Sequence, residues 1–162
     1  MLNIALAAAL IALAPAPLPI GMDADRVAAV AREVNVDPLE NARRLLTEGA
    51  YDEARREFLI AIVLERDAGR VPTEASLGLA HTLFGQNRAR DAATVLEELA
   101  SDAWRKGQPD CEARALMDLV WLNARAGRNT DVRADIGRLR TLMNHPDVKE
   151  STRKDINARI RF

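Results

Sequence analysis

The chain has 162 residues, 48% apolar and 29% charged, enough for a real core and unlike a disordered or collagen-like polymer. A formal net charge of −1 excludes a global field that would recruit nucleic acid or acidic lipid. The single cysteine, Cys111, excludes an internal disulfide.

Met1 to Gly21 carries no charged side chain, and Leu2 to Ala14 is apolar apart from Asn3. Pro15, Pro17 and Pro19 then end any helix. The run is shorter than the roughly 20 residues of a bilayer crossing and suits a secretory h-region. Ala12-Leu13-Ala14 and Ala14-Pro15-Ala16 place small residues at cleavage spacing, although each is followed by proline and no Lys or Arg precedes the run. Export, periplasmic or secreted, with residues 1–21 as a signal peptide is the first expectation. Membrane association through an uncleaved 1–21 anchor is the second, and a hydrophobic helix packed on a cytoplasmic domain is the third. No cysteine follows the run, which excludes a lipoprotein anchor.

Residues 22–162 read as one helical domain. Asp23 to Val34 is amphipathic, with Val27, Val30 and Val34 on one side, and suits a short covering helix. Asp37-Pro38 starts the next helix, with Asp as N-cap and proline at the first position, and Gly49 ends it. A helix from about Asp52 to Ala68 carries Phe58, Ala61, Ile62 and Leu64 inward, and Gly69 suits a left-handed stop. Its Glu53, Arg55, Arg56 and Glu57 read as a solvated charged face. Pro72-Thr73 opens a third helix to Gln86, and Arg88 to Lys106 is the fourth. Asp110 caps the fifth, through Ala126, and places Cys111 at or before a helix start, where a dipole can lower a thiol pKa. With no His or second Cys near it in sequence, an inert thiol is the expectation. The sixth helix runs from about Thr130 to Asn144, and Pro146-Asp147 begins a last one, with Val148, Ile156 and Ile160 free to cover the core. Strand alternation is absent.

A motif recurs three times. Five, nine and twelve residues after Gly49, Asn87 and Gly127 come Ala54, Phe58 and Ala61; Ala92, Leu96 and Leu99; Val132, Ile136 and Leu139. Seven and four residues before each turn stand Ala42 and Leu45, Ala80 and Leu83, Val120 and Asn123. Fourteen of these fifteen places are apolar, Asn123 being the exception, and the turns are 38 and 40 residues apart. Each helical hairpin exposes an apolar flank alone, so stacked hairpins follow. A generic antiparallel bundle is the alternative.

The stretch Gly49-Ala50-Tyr51-Asp52-Glu53-Ala54 through Phe58 and Ala61 resembles the second-helix signature of the tetratricopeptide repeat. Leu77-Gly78-Leu79-Ala80-His81-Thr82-Leu83 through Ala92 and Leu96 is similar, as is the weaker third unit from Leu119-Val120-Trp121 through Gly127, Val132 and Ile136. The resemblance covers about residues 35–146, with spacings longer than the common 34. It implies an all-α, right-handed α-solenoid of three antiparallel hairpins with short N- and C-terminal capping helices. It also implies that the first helix of each hairpin lines a concave groove.

The facing positions are then Leu39, Arg43 and Leu46; Leu77, His81 and Phe84; Met117, Trp121 and Ala124, with Arg125 beside them. Their spacing of four and three puts them on one face. Arg and Trp dominate contact energies in interfaces, so this row is a plausible peptide seat. The alternative places Trp121 and Phe84 in the core. The basic set with which some members of that family grip a partner's C-terminal carboxylate is absent, since Leu39, Leu77 and Met117 hold the corresponding sites.

No phosphate loop, nucleophile elbow or His-Glu-x-x-His site occurs, and His81 and His145 are the only histidines. The excess of five basic over three acidic residues from His145 to Phe162 reads as a solvated helix face. The expected function is a non-catalytic module that binds a peptide or protein partner without cofactor, metal or nucleic acid. A self-assembling scaffold anchored by its N-terminal segment is the alternative.

Overall fold

The computed structural model describes residues 37–160. The expected signal segment at 1–21 and the covering helix at 23–34 lie outside them. Among the described residues there are seven α-helices and no strand. They are α1 (Pro38–Thr47), α2 (Tyr51–Asp67), α3 (Thr73–Gly85), α4 (Ala89–Arg105), α5 (Pro109–Arg125), α6 (Asn129–Met143) and α7 (Glu150–Arg159). The chain divides into two compact units, Met1–Arg70 and Val71–Phe162. In the first, α1 packs on α2. In the second, α3 packs on α4, α4 on α5 and α5 on α6, while α5 also meets α3 and α7.

One device ends five of these helices. Gly49, Gly69, Asn87, Gly107 and Gly127 all have φ between 61° and 76°. After each, an N–H reaches back to a carbonyl of the last turn: Ala50 to Leu45, Arg70 to Glu65, Arg88 to Leu83, Gln108 to Ala103 and Arg128 to Asn123, at 2.8–2.9 Å. This six-to-one closure satisfies carbonyls that the helix leaves open. Asn87 is the one non-glycine, and asparagine is among the few side chains that tolerate the left-handed region.

The start of α1 follows the sequence. Asp37 is the N-cap, its Oδ1 accepts the Leu39 N–H at 2.9 Å, and Pro38 holds the first position. The start of α5 does not. Asp110 is the second residue of that helix, and the cap position is Gln108, which makes no side-chain cap bond. Asp110 Oδ1 instead accepts the N–H of Lys149 at 2.9 Å. Lys149 is the cap residue of α7, so an acid on one helix caps another. The last helix accordingly begins at Glu150 rather than at Pro146-Asp147. It is tied further by Arg153, which donates to the carbonyls of Met143 at 3.0 Å and His145 at 2.7 Å, at the end of α6.

Burial follows the repeat. Twelve of the fifteen motif positions are buried, and Leu45, Val132 and Ile136 are half-buried. Small residues stand at the crossings: Ala42 on α1, Ala54 on α2 and Ala92 on α4 are fully enclosed. Side chains of that size let helix axes approach closely and leave volume for Phe58, Leu96, Leu99 and Leu139. Val148, Ile156 and Ile160 are buried too, as the covering role of the last helix requires.

Two polar side chains depart from expectation. Asn123 is buried, and its amide donates to Asp135 Oδ2 on α6 at 2.9 Å, while its Oδ1 has no partner. Glu57, read from sequence as part of a solvated face, is buried against the α1 side of its unit, where Asn41 hydrogen-bonds it. The α5–α6 contact holds a second polar lock: Arg138 donates to both oxygens of buried Glu112, at 2.6 and 3.0 Å.

Candidate binding surface

The residues that the sequence puts on one working face divide between the two units. Leu39, Arg43 and Leu46 belong to the first, where Arg43 is exposed and both leucines are half-buried. Leu77, His81 and Phe84 on α3, and Met117, Trp121, Ala124 and Arg125 on α5, belong to the second.

Within the second unit, α3 and α5 bring part of this set together. The Phe84 and Trp121 rings meet edge to face, with centroids 4.8 Å apart at 68°. This geometry suits the opposed charges of ring edge and ring face. The Arg125 guanidinium lies over both rings, 4.8 Å from the Trp121 centroid and 5.8 Å from that of Phe84. Trp121 remains 47% exposed and Phe84 half-buried, so the pair is a surface platform and not core. Leu77 and Met117 differ: each is only 8% exposed and belongs to the core beneath. They correct the expectation of an open apolar row: on the same helix faces, Leu77 and Met117 are covered while Trp121 stays exposed.

Beside the platform, His81 Nε2 stands 3.2 Å from Asp118 Oδ2, and Arg159 Nη1 donates to Asp118 Oδ1 at 3.3 Å. The Asp118 side chain is only 14% exposed, whereas those of His81 and Arg159 are both 60% exposed. Asp118 on α5 thus joins side chains from α3 and α7. The sequence reading missed Asp118 and Arg159. A signal for both exists: the pairs Glu74–Arg114, His81–Asp118, Asp110–Lys149 and Asp118–Arg159 span 40, 37, 39 and 41 residues. Each is about one repeat apart, so polar partners at that spacing join neighbouring helices of the unit.

Cys111, the third residue of α5, is half-buried and its thiol donates to Gln108 Oε1 at 3.4 Å. Among the described residues no three His, Cys, Asp or Glu side chains converge in a way that could hold a metal ion, and no helix is long and apolar enough to cross a membrane. The polar groups on the platform can bind and orient a ligand. They offer no nucleophile with an adjacent base.

No family model, curated protein or solved structure matches this chain.

Proposed function

We propose that this chain is a non-catalytic interaction module of tetratricopeptide type, with its hairpins arranged as a solenoid, that binds a peptide or protein partner on its first-helix face. The platform of Phe84, Trp121 and Arg125 carries this reading. An exposed tryptophan braced by a second ring and a guanidinium is rigid before any partner arrives, so binding costs little side-chain entropy. Trp and Arg are also the residues that most often dominate interfaces, at about 2 kcal/mol or more each. The apolar, uncharged run before Pro15 supports an exported module.

End-to-end self-assembly has an observation against it. Helix α4 packs on both α3 and α5, with Ala93 buried and Ala100 half-buried. The places one repeat later on α6 hold Arg133 and Arg140, both exposed. Charged residues there suit a terminal face turned to water.

The test is affinity capture from native extract with the full chain and with a Trp121→Ala/Arg125→Ala variant. The variant is expected to lose its partner while keeping the parent's helical circular dichroism. Unchanged capture sinks the reading. Light scattering over a concentration series is expected to show no growth in mass, and growth would favour the scaffold.

A further inference from the structure

We propose that the platform receives an acidic segment of its partner, with a side-chain carboxylate seated on Arg125 and an adjacent apolar side chain against Trp121. This rests on the interaction reading above and assigns the chemistry of the ligand. Arg88, Arg105, Arg114 and Arg138 of the same unit each hold a carboxylate of their own. Arg125 is exposed and holds none among the described residues; its contacts are the two rings. Stacking on the rings fixes the plane of the guanidinium and leaves its N–H edge available, and that edge matches a carboxylate in a paired, two-bond geometry.

The neighbouring charges point the same way. Among the described residues Asp118 is the carboxylate that meets His81 and Arg159, which already occupy both of its oxygens. Among the described residues, the guanidinium groups of Arg125 and Arg159 against the one Asp118 carboxylate leave the patch cationic, within a chain whose net charge is −1. A cationic patch of this kind draws in acidic partners and repels basic ones. The exposed body of Trp121 supplies the apolar part of the seat beside the charge.

The experiment measures fluorescence anisotropy of three labelled, C-terminally amidated peptides against the full chain. They share a leucine framework and differ only in carrying Glu, Gln or Lys between the leucines. Amidation ensures that any carboxylate contact comes from a side chain. The Glu peptide is expected to bind at least tenfold tighter than the Gln peptide, and the Lys peptide weakest. Arg125→Gln is expected to erase the Glu-over-Gln preference, and Arg125→Lys to keep a reduced one because charge remains but the fork is lost. Trp121→Ala is expected to weaken both the Glu and the Gln peptide. Equal binding of Glu and Gln peptides overturns the proposal and leaves the interaction reading intact, as does a preference for Lys. Binding of none of the three overturns it as well. Failure of the parent reading shows separately, as partner capture that survives loss of Trp121 and Arg125.

Discussion

Single residues carry much of what is unusual in this chain. Glu57 is a carboxylate in a buried place, and that burial pushes its pKa above the ordinary 4.5. The Asn41 hydrogen bond and the Arg56 and Arg44 charges pull the other way without winning. An acid with a raised folded pKa destabilises the fold wherever it is ionised, and the cost fades as pH falls through the folded value toward the unfolded one. Glu57→Gln keeps a partner for Asn41 and removes the charge. It is expected to melt above the parent at pH 7, with the gap closing at pH 4 and below, in thermal melts followed by circular dichroism. A lower melting point at pH 7 would contradict this. The sequence showed Glu57 as one of several charges on a helix and held nothing to single it out. By contrast, spacing puts Phe84, Trp121 and Arg125 near one another, and the three do stack, while His81 meets Asp118 instead. Leu77 and Met117 share the face of Phe84 and Trp121 yet are buried, because spacing fixes the face of a helix but not how much of that face its neighbours cover.

Between elements, two of the polar contacts that join helices of the second unit carry predictions of their own. Asp110 accepts the Lys149 N–H and so starts α7. Asp110→Ala is expected to cost about 0.5–2 kcal/mol, the range of a lost cap. Amide exchange at residues 149–153 should rise while that of α4 stays protected; Asp110→Asn, which keeps an acceptor, should largely preserve it. Asn123 and Asp135 form the second contact, in a place where the repeat calls for an apolar residue. Burial raises the Asp135 pKa, and the Asn123 bond opposes that rise. Asn123→Leu alone strands the acid and is expected to cost about 1–3 kcal/mol. Asn123→Leu with Asp135→Leu removes both partners and is expected to fall within about 1 kcal/mol of the parent, since paired removal leaves nothing unsatisfied. Urea denaturation of the double-mutant cycle reads both numbers. If the double variant is as damaged as the single one, the account is wrong.

At the scale of the whole molecule, residues 71–162 form a unit with an enclosed interior of their own, with Leu96, Leu99, Leu139 and Ile156 among its most buried side chains. A fragment of these residues is expected to be helical and to melt cooperatively, since a domain with its own core needs no further chain to fold. A broad, featureless melt would refute this. Removing Phe58, the most buried large side chain of the first unit, is expected to cost the full chain about 3–5 kcal/mol in chemical denaturation.

Most helix ends were written locally: Asp37-Pro38 opens a helix and Gly49, Gly69 and Gly127 close others through preferences within one turn of chain, while the starts of α5 and α7 were not. Apolar spacing likewise named most of the core, because burial follows the helical period. What only the tertiary structure decided are the contacts of polar residues about 40 positions apart, among them Asp110 with Lys149 and Asp118 with His81 and Arg159. Polar residues about one repeat apart stand in the sequence, but nothing local says which of them meet. The place of each, inside like Asn123 or on the surface like Arg125, follows from which helix arrives beside it.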